Sequence, residues 1–129
     1  MILMVAYFHM KYKNQYGTFY KNTLGQHHRE DGPAIERPDG TKKWYKNGKL
    51  HREDGPAIEE PNGEKQWFFN GYLHRENNYA IEWANGDKYW YVNGIYIFSS
   101  KENLINIFIR HLKILKFIGK MKQFMEENK

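Results

Sequence analysis

The sequence predicts a mainly β protein: an antiparallel meander of short hairpin repeats followed by one long C-terminal α-helix. Three observations carry that expectation. The nine residues HREDGPAIE run from His28 to Glu36, recur letter for letter from His51 to Glu59, and return damaged as HRENNYAIE from His74 to Glu82. The same step of 23 residues separates Trp44, Trp67 and Trp90, and the pairs Asn47-Gly48, Asn70-Gly71 and Asn93-Gly94. A fixed period of this length marks a repeat architecture. Beyond the last repeat the hydrophobic pattern changes to the period of a helix.

The elements follow in chain order. Residues 1–27 open with the apolar run Met1 to Phe8, which lacks the basic start and small-residue cleavage site of a signal peptide and reads as a first strand. Gly17 and Gly25 fall in the repeat register, so a frayed copy precedes the regular ones. Residues 28–96 hold three repeats, each with two turn signals. Asp39-Gly40, Asn62-Gly63 and Asn85-Gly86 form one series, and the Asn-Gly pairs at 47, 70 and 93 form the other. Such dipeptides supply the positive φ of tight hairpins. Between them stand the aromatic runs KKWYK, KQWFF and KYWYV, which suit a pleated surface. Asp-Gly-Pro fits a regular ladder poorly, because proline has no donor, and so marks a bulge or kink. The whole of 1–129 is expected to be a single domain, with 97–129 as its C-terminal amphipathic part.

In that last segment Ser99-Ser100-Lys101-Glu102 reads as a capping box with Ser99 as N-cap, and the helix is expected to reach about Glu126. One broad face carries Leu104, Ile107, Phe108, Leu115 and Ile118, while Arg110, Lys113, Lys116 and Lys120 lie opposite. A face this wide should be buried. A helix of about 26 residues spans ~40 Å, enough to lie across seven or eight strands. Ile109, Phe117 and Phe124 intrude on the polar side and point to a homodimer through the helix, or to another partner.

The repeats resemble the MORN family, and more closely its variant repeats written His-Arg-x-Asp-Gly-Pro-Ala followed by Asn-Gly, Trp-Tyr and Asn-Gly. The stretch NGKLHREDGPAIEEPNGEKQWFFNG, Asn47 to Gly71, carries the resemblance, which extends over about residues 17–96. The chain departs from the common MORN pattern where that has His-Gly-x-Gly, since Arg29, Arg52 and Arg75 stand at the first glycine. The resemblance implies an interaction platform. Some family members associate with acidic lipids, and variant repeats of this kind are associated with phages and large viruses. A viral or phage inhibitor of a host protein would fit.

Composition bounds the function. The chain has no cysteine, hence no disulfide framework, and no stretch near the ~18 apolar residues of a membrane span. An intracellular, cytoplasmic protein is expected, with membrane binding unlike its pattern. The net charge of +5 is uneven. Residues 1–27 carry three lysines and no acid; 28–96 carry ten basic and twelve acidic residues; 97–129 carry seven basic and three acidic. The basic excess sits at the ends, which weakens a nucleic-acid reading without removing it.

The sharp site readings meet physical limits. Histidines 28, 51 and 74 would stand two strands apart, roughly 9–10 Å, too far to share a zinc held at about 2 Å. They more simply hydrogen-bond the adjoining turn. Arg29, Arg52 and Arg75 suit a phosphate stripe, but each has a carboxylate one or two residues on, which favours pairing within the repeat. Glu36, Glu59 and Glu82 read as ordinary outward strand positions. No serine or threonine recurs beside a histidine, so nucleophilic catalysis is not indicated. No enzyme, cofactor or metal is expected. The aromatic pairs Trp44-Tyr45, Trp67-Phe68 and Trp90-Tyr91 place successive rings on opposite faces, so one ring of each pair fills the core and the other is free to bind. Candidate binding residues are therefore Arg29, Arg52, Arg75, Tyr45, Phe68 and Tyr91 on the repeats, and Arg110, Lys113, Phe117 and Lys120 on the helix. A protein partner is the leading expectation; nucleic acid or a nucleotide, held by the basic ends and aromatic rows, is the alternative.

Overall fold

A computed structural model describes residues 10–128. The expected first strand at Met1 to Phe8 lies outside the described residues. The chain falls into two compact units, 1–99 and 100–129, and each is described by itself.

The first unit is an antiparallel meander, as the turn signals predict. Its strands are β1 (Met10–Asn14), β2 (Gly17–Lys21), β3 (Ile35–Glu36), β4 (Lys42–Lys43), β5 (Tyr45–Lys46), β6 (Lys49–Leu50), β7 (Ile58–Glu59), β8 (Lys65–Gln66), β9 (Phe68–Phe69), β10 (Tyr72–Leu73), β11 (Ile81–Glu82), β12 (Lys88–Val92) and β13 (Ile95–Ser99). Nine of them make one sheet in the order β1-β2-β3-β4-β7-β8-β11-β12-β13. The Asn47-Gly48 and Asn70-Gly71 hairpins stand apart as two-stranded ribbons, β5–β6 and β9–β10. In the third repeat the two pieces fuse into the longer pair β12–β13, with a register shift between Trp90 and Tyr91.

Two turns with different geometry alternate. At Asn47-Gly48 both residues have positive φ, 49° and 79°, the requirement of a type I′ hairpin. At Asp39-Gly40 only the glycine does, with φ 96°, and the Asp39 carboxylate accepts the Thr41 N–H at 2.9 Å. Asn62 and Asn85 repeat that bond to Glu64 and Asp87. Each Asn-Gly turn is tied to the preceding repeat through its glycine N–H: Gly48 to the His27 carbonyl, Gly71 to Leu50 and Gly94 to Leu73, all at 2.8 Å. The repeats are therefore stitched along the chain by backbone bonds as well as packing.

The core corrects one expectation. The buried apolar residues are Ala34-Ile35, Ala57-Ile58 and Ala80-Ile81, the AIE of each nine-residue copy, whereas Trp44, Trp67 and Trp90 are half-buried. Each Ile sits where its strand is paired on both sides: Ile58, for example, is opposite Lys43 and Gln66. Each Ala carbonyl accepts a long-range backbone bond, Trp44 N–H to Ala57 and Trp67 N–H to Ala80, both 2.8 Å. A methyl side chain permits that approach. Trp44 and Trp67 stand where the chain leaves the main sheet for the ribbon, and Trp90 stands in β12 at its register shift, so none fills the centre.

The second unit carries α1 (Leu104–Glu127). Its N-cap is Asn103, whose side chain accepts the Asn106 N–H at 2.8 Å, not Ser99, which ends β13. Asn is as good an N-cap as Ser, and Glu102, read as the other half of the capping box, instead pairs with Arg110 at 2.7 Å. No residue of α1 is buried. The broad apolar face expected to be covered is exposed, with Leu104 82 % exposed and Phe108 and Leu115 each 63 %, and so are the intruding Phe117 and Phe124, each 63 %. Among the described residues no helix is long and apolar enough to cross a membrane.

Candidate functional site: the arginine ladder and its clefts

The HRED segments build one constellation three times. The guanidinium of Arg52 stacks on the Trp44 ring at 3.9 Å, and that of Arg75 on Trp67 at 3.8 Å. Arg29 lies 4.0 Å over Tyr20, which identifies Tyr20 as the aromatic of the frayed copy. Backbone bonds agree: Tyr20, Trp44 and Trp67 each accept from the following His28, His51 and His74. On their other side the Arg29 and Arg52 guanidiniums face Gly32 and Gly55. A Cβ on Gly32 or Gly55 would come within 2.9 Å of the arginine Cζ. This is the reason the copies need Gly after Asp.

The arginine forks are then spent inside the repeat. Arg52 Nε donates to Asp54 at 2.8 Å, and its Nη1 to Glu59 at 2.9 Å and to the Pro56 carbonyl at 3.2 Å. Arg29 makes the same three bonds to Asp31, Glu36 and Pro33. Arg75 keeps Glu82 and the Tyr79 carbonyl; Asn77 stands where the aspartate would be. Glu36, Glu59 and Glu82, read from sequence as plain outward positions, are thus the ladder's counter-ions. Burial alone would lower the pKa of Arg29, but the hydrogen bond and charge of Asp31, with Tyr20 and Glu36, raise it above the ordinary value. The Arg52 hydrogen bond and charge hold the Asp54 carboxyl below its usual range.

The histidines do what the simpler reading assigned them. The Nδ1 of His28, His51 and His74 accepts the turn N–H of Asn47, Asn70 and Asn93 at 2.9, 3.1 and 3.2 Å. That fixes the proton on Nε2, which in His28 faces Glu30 at 3.1 Å and in His51 faces Glu53 at 3.5 Å. The lone pair a metal would need is occupied by the turn. Among the described residues no three His, Cys, Asp or Glu side chains gather where they could hold a metal ion. His27, outside the series, has its pKa lowered by burial and by Lys21, against a backbone hydrogen bond at Tyr20 that raises it.

Between successive repeats the ladder leaves open clefts. One, of about 1050 Å³, is lined by Glu53, Asp54, Pro56 and Trp67 of one repeat and by His74 and Glu76 of the next. Its neighbour, about 750 Å³, is lined by the equivalent Glu30, Asp31 and Pro33, with Trp44, His51 and Glu53. The carboxylates are at the surface: Asp31 is 83 % exposed, Asp54 84 % and Glu53 74 %.

Of the other sequence candidates, Tyr45, Phe68 and Tyr91 are half-buried. Tyr45 lies 5.5 Å from the His27 ring and Tyr91 5.5 Å from Tyr96. The exposed rings are their neighbours, Phe69 at 41 % and Tyr72 at 60 %. Arg110 is paired with Glu102, while Lys113, Phe117 and Lys120 are exposed on α1. Sequence reasoning gave the Glu after each Arg to that arginine and missed the cleft itself; Glu30 and Glu53 face His28 and His51 instead. No family model, curated protein or solved structure matches the chain.

Proposed function

We propose that the protein is a non-catalytic binding module whose repeat array takes a protein partner, and that the partner presents lysine or arginine side chains to the clefts between repeats. One observation carries this reading: the ladder turns its arginines inward, into satisfied stacks, and leaves carboxylates and aromatic rings on the surface. A cation entering beside Glu53 and Glu76 would meet negative charge together with the exposed Phe69 ring that also lines the cleft, a pairing that favours ammonium and guanidinium groups. The MORN-like pattern, with its implied interaction platform, agrees. A phosphate backbone would instead face those carboxylates, which disfavours nucleic acid on the repeats. The lysines of α1 keep nucleic acid as the second reading.

The test uses the full chain and two labelled probes, a lysine- and arginine-rich peptide library and a single-stranded oligonucleotide. Peptide binding that weakens tenfold or more in Glu53→Lys/Glu76→Lys supports the proposal. Oligonucleotide binding with a steep salt dependence, and no peptide binding, would replace it with the second reading.

A further inference from the structure

The open face of α1 has a spacing the repeat array does not explain. Leu104, Ile107, Ile114, Ile118, Met121 and Met125 fall on alternating three- and four-residue steps, the seam of a coiled coil. His111 takes the one remaining seam position within the run, its Nδ1 at 2.8 Å from the Ile107 carbonyl. The flanks of the seam are mostly apolar, with Phe108 and Leu115 in line with Lys122 on one side, and Phe117 and Phe124 in line with Arg110, itself paired with Glu102, on the other. Lys113, Lys116 and Lys120 occupy the positions farthest from it. Two such seams can approach without bringing those lysines together.

We propose that α1 is a self-association element, and that two copies of this chain pair through the seam, so that one particle displays two repeat arrays. The area supports a second copy as the occupant. Apart from the half-buried Ile107, the large apolar side chains of α1 are between 40 % and 82 % exposed; an aromatic one presents on the order of 150–250 Å², an aliphatic one somewhat less. The helix therefore offers roughly 1,200 Å² of apolar surface, of which a paired seam with its flanks covers about half. Two copies then bury about 1,200 Å² in total, the lower bound of a stable interface. A helix of 24 residues, ~36 Å long, holds three heptads, the length at which such a seam pairs. The pairing is isologous, each copy contributing the same patch.

Light scattering on the full chain tests this between 1 and 100 µM. The expected result is twice the 15.6 kDa chain mass, little changed from low to high salt because the seam is apolar. Ile114→Asp/Ile118→Asp should give a monomer whose tryptophan fluorescence and urea midpoint still report folded repeats. Lys113→Glu/Lys116→Glu, on the far face, should leave the dimer intact. A monomer mass for the wild-type chain throughout the range overturns the proposal, as does a dimer indifferent to the two aspartates. Binding to anionic vesicles by a chain that is monomeric without them would assign the face to a membrane surface and overturn it equally.

Discussion

Gly55→Ala should destabilise the repeat array, and Arg52 should be the reason. The new Cβ would meet the Arg52 Cζ at 2.9 Å, closer than real Cβ atoms come, and Gly55 has no positive φ to complicate the substitution. Either the guanidinium moves or the loop does. The interactions at risk are the stack on Trp44 at 3.9 Å, about 0.5–1 kcal/mol at a partly exposed site, and three hydrogen bonds. The bond to Asp54, a carboxylate 84 % exposed, adds little after solvent screening. Those to Glu59 and the Pro56 carbonyl contribute roughly 1 kcal/mol each. Partial loss of the set gives an expected cost of about 1.5–3 kcal/mol. The assay is a double-mutant cycle by urea unfolding, followed through tryptophan fluorescence. In the Arg52→Ala background the clash is gone, and Gly55→Ala should cost less than about 0.5 kcal/mol. Additive costs would show that the glycine serves backbone conformation and not the guanidinium, and the sandwich account of the repeat would fail.

Ile58→Ala should cost about 2–5 kcal/mol as a core truncation, measured as a fall in urea midpoint, since Ile58 is only 7 % exposed; a cost under 1 kcal/mol would deny it core status. His51→Phe should cost about 1–3 kcal/mol, because it leaves the Asn70 N–H facing an apolar ring, and amide exchange at Asn70 should accelerate. Acid should destabilise in two windows. The lowered pKa of His27 means the unfolded chain binds protons first, so stability is full above 6.5, the ordinary value, and falls as pH drops below it. Asp39, held down by the Thr41 N–H, and Asp54, held down by Arg52, act with the same sign from 3.8 downwards. Midpoints that rise between pH 6.5 and 3 would contradict both assignments.

The period, the two turn series and the terminal helix were legible because each is local chemistry: Asn-Gly and Asp-Gly state their own φ, and a helical face states its own spacing. The pairing of Arg29 and Arg52 was half legible. Asp31 and Asp54 lie two residues away, but Glu36 and Glu59 lie seven away, across a loop whose path only the fold sets. The core was misread for a related reason. Volume pointed to tryptophan, yet burial followed strand pairing, and Ala57-Ile58 sit where the ladder is continuous while Trp44 and Trp67 sit where it parts. Neither the Tyr20–Arg29 stack nor the clefts could be seen from spacing, because Tyr20 is 24 residues before Trp44 and the clefts arise only when repeats are laid side by side.

The damaged third copy follows from the same ladder. One step beyond Arg75 the chain has Phe98, stacked on Trp90 with centroids 5.3 Å apart, in the place a fourth arginine would take. An arginine there would look for a carboxylate two and seven residues on, where the sequence has Ser100 and Ile105. It would be a cation half-desolvated against a ring without its counter-ions, a costly arrangement. Phenylalanine fills the stack without that demand, and Tyr79, replacing the proline of earlier copies, closes edge-on against both rings at 5.6 and 5.9 Å. Asn78 replaces glycine in the copy that also lacks the aspartate, so Arg75 has already lost one partner before the ladder stops. Phe98→Arg should therefore destabilise by about 1–3 kcal/mol, and adding Ser100→Asp should restore part of the loss by recreating the Arg52–Asp54 pair. Urea midpoints of the single and double variants decide it: no recovery in the double variant would mean that the end of the array is held by aromatic packing alone.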